Sequence, residues 1–158
     1  LIPAADSGSG NWDKASGVLY NQAVNAFNAA LPVLGAYEIN DTIVLWQQGE
    51  RDSQAVNGTN VTGAIYQAKQ EALVDNLDAD LSTGLDEFRM STVGYMTAGV
   101  DADWDEIRTA QEDAMDAKAK GTVAFDRAEF FISEGKMNPD GLHYNQTGLN
   151  EMGTGLGD

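Results

Sequence analysis

The sequence predicts one α/β domain in which a parallel sheet is covered by helices on both faces. Three observations predict it. Short apolar runs alternate with amphipathic stretches of helical length along the whole chain. One run, Thr42-Ile43-Val44-Leu45-Trp46, is unbroken, the pattern of a strand buried on both sides. The chain has 158 residues, of which 42% are apolar, enough for one domain with a real core.

The elements come in a regular order. Leu1-Ile2-Pro3-Ala4-Ala5 reads as a first strand that runs into the loop Asp6-Ser7-Gly8-Ser9-Gly10. Over residues 17–34, Val18, Leu19, Ala23, Val24, Phe27, Ala30 and Leu31 recur at helical spacing, and Pro32 and Gly35 disturb the end. Residues 42–46 form the second strand. Residues 51–62 are polar and turn-rich. Residues 64–81 form a second helix with Ile65, Ala68, Ala72, Leu73 and Leu77 on one side. Residues 88–96 read as a third strand. A helix follows over about 104–118, with Asp101 or Asp103 as its cap and Lys118 and Lys120 suited to its negative C-terminal end. Thr122-Val123-Ala124-Phe125 is a fourth strand, and Asn145 or Thr147 caps a last helix through Leu149 and Met152. No internal repeat or linker interrupts the series.

Composition narrows the function classes. Twenty-five Asp and Glu stand against nine Lys and Arg, a net charge of −16. A surface of that sign repels phosphate backbones and anionic membranes, so neither nucleic acid nor a lipid surface is an expected partner. The absence of cysteine removes disulfides, thiolate metal sites and a cysteine nucleophile together. One histidine and no cysteine leave only carboxylate ligands, so neither a metal nor another cofactor is expected. No apolar run approaches the roughly 18 residues that span a bilayer. Asn40, Asn57, Asn60 and Asn145 begin N-x-S/T strings, which carry glycans only in a secretory eukaryotic setting. The chain opens at Leu1, and the expectation is that it begins inside a longer polypeptide.

The chemistry concentrates in two places. His143 is the only histidine, and it lies in Asp140-Gly141-Leu142-His143-Tyr144-Asn145. A carboxylate three residues before an imidazole can accept a hydrogen bond from one ring nitrogen and fix the tautomer. The other nitrogen is then free to take a proton from a nucleophile. The second place is Trp46-Gln47-Gln48-Gly49-Glu50-Arg51-Asp52, directly after the second strand. In parallel sheets ligands bind at the carboxyl ends of the strands. These two blocks and the Ser7–Gly10 loop should therefore converge on one rim.

Together the blocks resemble the SGNH hydrolases, and more narrowly the carbohydrate O-acetylesterases that include sialate O-acetylesterases and family-six acetylxylan esterases. That branch carries W-H-Q-G-E-[SN]-D after a strand; here Gln47 replaces the histidine and Arg51 the small polar residue. It ends in D-G-[IL]-H and a glycine-bearing helix, matched by Asp140 to His143 and by Gly148 through Gly153. A looser match joins Pro3, Ala5 and Ser7-Gly8-Ser9 to the family's P-x-A-x-G-G-T segment, and Trp12 and Leu19-Tyr20 to the Trp and the Leu-Tyr pair beyond that segment. The resemblance covers essentially the whole chain and implies a flavodoxin-like three-layer sandwich.

The resemblance also implies roles. His143 is the general base and Asp140 its orienting carboxylate. The Gln48 side-chain amide and the Gly8 backbone N–H donate to the oxyanion, with Gly49 in the same loop; each such donor is worth about 3 to 4 kcal/mol in the transition state. Glu50 and Asp52 shape the loop. SGNH enzymes carry their nucleophile in a G-[DQ]-S block after the first strand, and this chain has no such block. Ser7 and Ser9 are the substitute candidates, although their position fits the family's glycine-bearing block. The favoured expectation is a partial domain whose first strand, at the centre of the sheet, is supplied by a companion: an N-terminal segment, a neighbouring chain or a swapped copy. An unfilled gap would expose strand edges.

Two functions are consistent with this pattern. One is an esterase that removes acetyl groups from O-acetylated carbohydrate, working outside the cell, in the periplasm or on a virion. The other is a non-catalytic carbohydrate-binding or structural module on an esterase scaffold. Gln47, Arg51 and the missing serine block favour the second; the retained Asp140 and His143 favour the first.

Overall fold

Three of the expected strands pair into one all-parallel sheet. The computed structural model describes residues 8–35, 37–53, 61–94, 101–126, 134–141 and 143–157. The expected first strand and Ser7 lie outside the described residues. The strands are β1 (Ile43–Gln47), β2 (Glu87–Ser91) and β3 (Gly121–Phe125), in the order β1-β2-β3. Trp46 lies beside Met90, and Met90 beside Val123. The helices are α1 (Val18–Ala30), α2 (Gly63–Asp80), α3 (Asp101–Asp116) and α4 (Gln146–Gly157), with a 3-10 turn at Ser9–Trp12. None of the described helices is long and apolar enough to cross a membrane.

Side-chain alternation along the strands makes three layers. Val44, Trp46, Phe88, Met90 and Val123 face one way and pack on Tyr20 and Val24 of α1, Leu73, Val74 and Leu77 of α2, and Ala114 and Met115 of α3. On the opposite face Ala124 and Phe125 meet Met152 and Leu156 of α4. Arg89, also turned to that side, donates to the Leu156 carbonyl at 3.1 Å. The result is the predicted α/β sandwich, with α1, α2 and α3 below the sheet and α4 above β2 and β3.

Four details differ from expectation. β1 is not buried on both faces: Ile43 is 43% and Leu45 53% exposed, because β1 lies at the edge among the described strands and α4 covers β2 and β3. The buried stripe of α2 runs through Tyr66, Gln70, Leu73, Val74 and Leu77, while Ile65 is exposed. Hydropathy undervalues Tyr66 and Gln70, whose bulk fills the core. Asp101 and Asp103 lie within α3 rather than ahead of it. Lys118 and Lys120 lie beyond its end, where they pair with Asp75 and Asp78 of α2 at 2.7 Å each. Two other expectations hold. α1 stops at Ala30, two residues before Pro32, whose missing N–H cannot continue the ladder. Asn145 caps α4, its Oδ1 accepting from the Thr147 and Gly148 amides at 3.0 and 3.1 Å.

Asp80 ties α2 to α1. It accepts from Lys14 at 2.8 Å and from the Tyr20 hydroxyl at 2.6 Å. The Lys14 contact first, and then Tyr20, holds its carboxyl below the ordinary carboxylate range. Lys120 does the same for Asp78. A depressed native pKa contributes stability that is present above the unfolded value and lost as pH falls through the native one. Melting temperature should therefore drop between about pH 5 and about pH 3, and Asp80→Asn should flatten that drop in thermal scans across the range. In the core, Phe88→Ala should cost about 3 to 5 kcal/mol in urea unfolding, since Phe88 is fully buried between β1 and the helices.

Candidate active site

The loop after β1 is fixed from below by aromatic packing. Trp46 meets Trp12 of the 3-10 turn edge to face, with ring centroids 4.7 Å apart, and stacks obliquely on Phe88. That contact brings the Gly8–Ser9 segment to the carboxyl end of β1. A buried carboxylate completes the junction. Asp52 accepts from the Ser9 amide and the Ser9 hydroxyl at 3.0 Å each, and from Gln48 Nε2 at 2.5 Å. Lys69 of α2 donates to the same hydroxyl at 3.3 Å.

Gln48 is buried and held on several sides. The Tyr66 hydroxyl lies 2.9 Å from Gln48 Oε1 and 3.0 Å from its carbonyl oxygen. Gln111 Nε2 of α3 donates to that carbonyl at 2.7 Å. Burial first, then the charges of Asp52 and Glu50, push the Tyr66 hydroxyl well above the usual tyrosine range, so it keeps its proton. Gly49 follows at φ 132°, a conformation that disfavours side chains; an added Cβ would sit 2.6 Å from Val93 Cγ1 and 3.0 Å from Gln111 Nε2. Ser53 closes the turn through its amide and hydroxyl on the Gly49 carbonyl. Glu50 accepts from Gln47 at 2.7 Å. Gly8 precedes the 3-10 turn, with Arg51 Cγ 3.8 Å from where a Cβ on it would stand.

The second group is built on a small hairpin ahead of α4. Met137 and Tyr144 form an antiparallel bridge, Asn138 N–H donates to the His143 carbonyl at 2.7 Å, and Gly141 turns the chain at φ 67°. Asp140 grips His143 twice: Oδ1 accepts its backbone N–H at 2.9 Å, and Oδ2 lies 2.8 Å from Nδ1. An ionised carboxylate only accepts, so Nδ1 carries the hydrogen and Nε2 is left as the proton acceptor. The His143 and Asp140 side chains are 72% and 50% exposed. Tyr144 packs with Ala124 and Phe125, which anchors the pair at the carboxyl end of β3.

Of the residues expected to form the site, the structure joins Gln48, Gly49, Asp52 and Ser9 in one cluster and Asp140 with His143 in another. The first follows the carboxyl end of β1 and the second packs through Tyr144 on the carboxyl end of β3, with β2 between the two strands. Among the described residues no hydrogen bond joins the two clusters, and none links a hydroxyl to His143. The Ser9 hydroxyl is turned to Asp52 and Lys69 instead. Also among the described residues, no group of three or more His, Asp or Glu side chains is placed to hold a metal ion. Sequence reasoning missed Tyr66 and Gln111. Their signal was a pair of polar side chains on otherwise apolar helix stripes.

A parallel α/β sandwich with an aspartate-bound imidazole before its last helix and a buried amide loop after a strand has the framework of an SGNH-like hydrolase. A family model described as carbohydrate esterase, sialic acid-specific acetylesterase, matches residues 1–158, and the chain belongs to that family. No individually curated protein and no solved structure matches.

Gly49→Ala should lower stability by about 1 to 3 kcal/mol, because the methyl meets Val93 and Gln111 at a positive φ. Gly153→Ala, in α4 with nothing within 4 Å, should instead add about 0.5 to 1 kcal/mol. Urea titrations of the two variants side by side check the contrast.

Proposed function

We propose that this domain removes acetyl groups from O-acetylated sugars by Ser-His-Asp chemistry, with the serine carried by a segment beyond the described residues. The observation that carries this reading is the Asp140–His143 pair, whose geometry is that of an oriented general base. In the reaction the serine Oγ attacks the acetyl carbonyl while His143 Nε2 takes its proton. Gln48 Nε2 and the Gly8 N–H donate to the oxyanion. The intermediate collapses, the sugar oxygen leaves with the proton held by His143, and the serine keeps the acetyl group. Water then attacks the acyl-serine with His143 again as base, giving acetate and free serine. A polymeric, surface-borne substrate fits work outside the cell, in the periplasm or on a virion.

The serine needs a seat, and the edge of β1 that no described strand covers is the one this reading assigns to it. Every pair in the sheet is parallel, and all-parallel sheets normally have both faces covered. Yet Ile43 and Leu45 face solvent on the edge strand, and Tyr37 and Ile39 just before it are exposed as well. A parallel apolar strand seated there would end at the carboxyl rim beside Gln48. Its last residues would then deliver a hydroxyl to the side of the sheet where His143 stands.

A second reading keeps the scaffold without catalysis. It is favoured by Arg51, which stands where the family pattern has a small polar residue and lies beside Gly8, and by the engagement of Ser9 with Asp52. A fluorophosphonate probe, which labels only an activated serine, separates the two when applied to the protein with its companion segment in place. Under the esterase reading one serine is labelled, and Leu45→Lys on the β1 edge prevents labelling. Acetate release from an acetyl ester should vanish in His143→Ala and fall about 10²- to 10³-fold in Gln48→Ala. No labelled serine, or an unchanged rate in His143→Ala, leaves the binding-module reading.

A further inference from the structure

We propose that Tyr66 and Gln111 are positioning residues which fix the polarity of the Gln48 amide, so that its nitrogen is held on the Asp52 side and its oxygen on the Tyr66 side. The purpose of this device rests on the esterase reading; its geometry does not.

An amide side chain is nearly symmetric in shape. Rotating it by half a turn exchanges donor for acceptor with little change in volume. A reversed Gln48 would aim a carbonyl oxygen at a developing oxyanion, turning stabilisation into repulsion. Packing alone does not prevent that reversal, whereas a hydrogen-bond chain with fixed ends does.

Such a chain runs through the buried junction of β1, α2 and α3. It starts at the Val93 backbone N–H, which donates to Gln111 Oε1 at 2.8 Å. A backbone N–H cannot act as an acceptor, so the Gln111 amide is oriented with its nitrogen on the far side. That nitrogen donates to the Tyr66 hydroxyl oxygen at 3.2 Å and to the Gln48 carbonyl at 2.7 Å. A tyrosine hydroxyl has one proton and can face either way. With Gln111 donating to its oxygen, its proton points on to Gln48, whose Oε1 lies at 2.9 Å and whose carbonyl oxygen lies at 3.0 Å. Gln48 Nε2 then donates to Asp52, whose carboxylate only accepts when ionised. The ends are fixed: the Val93 N–H only donates and the ionised Asp52 carboxylate only accepts, so the Gln111 and Gln48 amides are oriented in the same sense.

Burial enforces the direction. Val93, Gln111, Tyr66, Gln48 and Asp52 are all buried, so a reversed link would strand donors and acceptors away from water. The high pKa of Tyr66 keeps its proton in place for the third link. Gly49 supplies the room: Tyr66 Oη and Gln111 Nε2 come within 3.2 and 3.0 Å of where its Cβ would stand.

The test reads the Gln48 side-chain amide directly by NMR, its signals identified by their loss in Gln48→Glu. In the parent protein both amide protons should exchange slowly with water. Tyr66→Phe removes one oxygen, and Gln111→Glu replaces the donating nitrogen; each should speed that exchange by about tenfold or more. Two variants guard against one failing to fold. In the complex with its serine segment, each should lower kcat by about tenfold to a hundredfold with KM within about twofold. A merely structural role would lower the melting temperature and leave both the exchange rate and the kcat-to-KM split unchanged. Unchanged amide exchange in a folded variant overturns the proposal. If the parent complex shows no hydrolysis, the esterase reading fails, and the exchange rates still decide this one.

Discussion

The site depends on one buried carboxylate. Asp52 binds the Ser9 backbone, the Ser9 hydroxyl and the Gln48 amide, and so joins segments 43 residues apart in sequence. Without it the glycine-bearing turn would be attached to β1 chiefly through the contact of Trp12 with Trp46. A carboxylate with three hydrogen-bond donors and a lysine near by is well compensated for burial. The same carboxylate is what an ionisable group offers over an amide here: it accepts everywhere and donates nowhere, which sets the sense of each neighbouring bond.

The architecture was legible in the sequence because its signals are periodic. Strand, helix and loop alternate at the lengths expected of a parallel sheet, and three strands and four helices appear close to where the apolar pattern puts them. The Asp140–His143 pair was legible because its two members are three residues apart, close enough for local backbone to bring them together. What was not legible came from distance. Tyr66 and Gln111 reach Gln48 from other elements, at separations of 18 and 63 residues, and their place as polar side chains on apolar helix stripes does not say what they bind. The face of α2 was misjudged for a related reason, since the buried Gln70 looks like a surface residue by hydropathy alone. The exposure of Ile43 and Leu45 could not be read from their own sequence, which is that of an interior strand. Only the sheet order reveals that nothing described lies beside them.

The acidic balance and the sheet edge pull in opposite directions. An apolar strand edge invites pairing with any extended chain. A net charge of −16 keeps like molecules apart over short distances, and more weakly as salt rises. Two copies of this chain therefore meet at β1 only against their own repulsion, whereas a less acidic segment meets it freely.

The hairpin that carries His143 is stitched to α4 by Asn145. Its side chain caps the helix and also donates to the Gly135 carbonyl, while its backbone N–H reaches the Lys136 carbonyl. Gly148, Gly153, Gly155 and Gly157 make α4 a weak helix by propensity. Fraying at its first turn would release the imidazole from its carboxylate-held pose while the layer of α1, α2 and α3 stayed intact. Thermal inactivation of this domain would then be a local, reversible event at its C-terminal end, setting in at temperatures where the main core still stands.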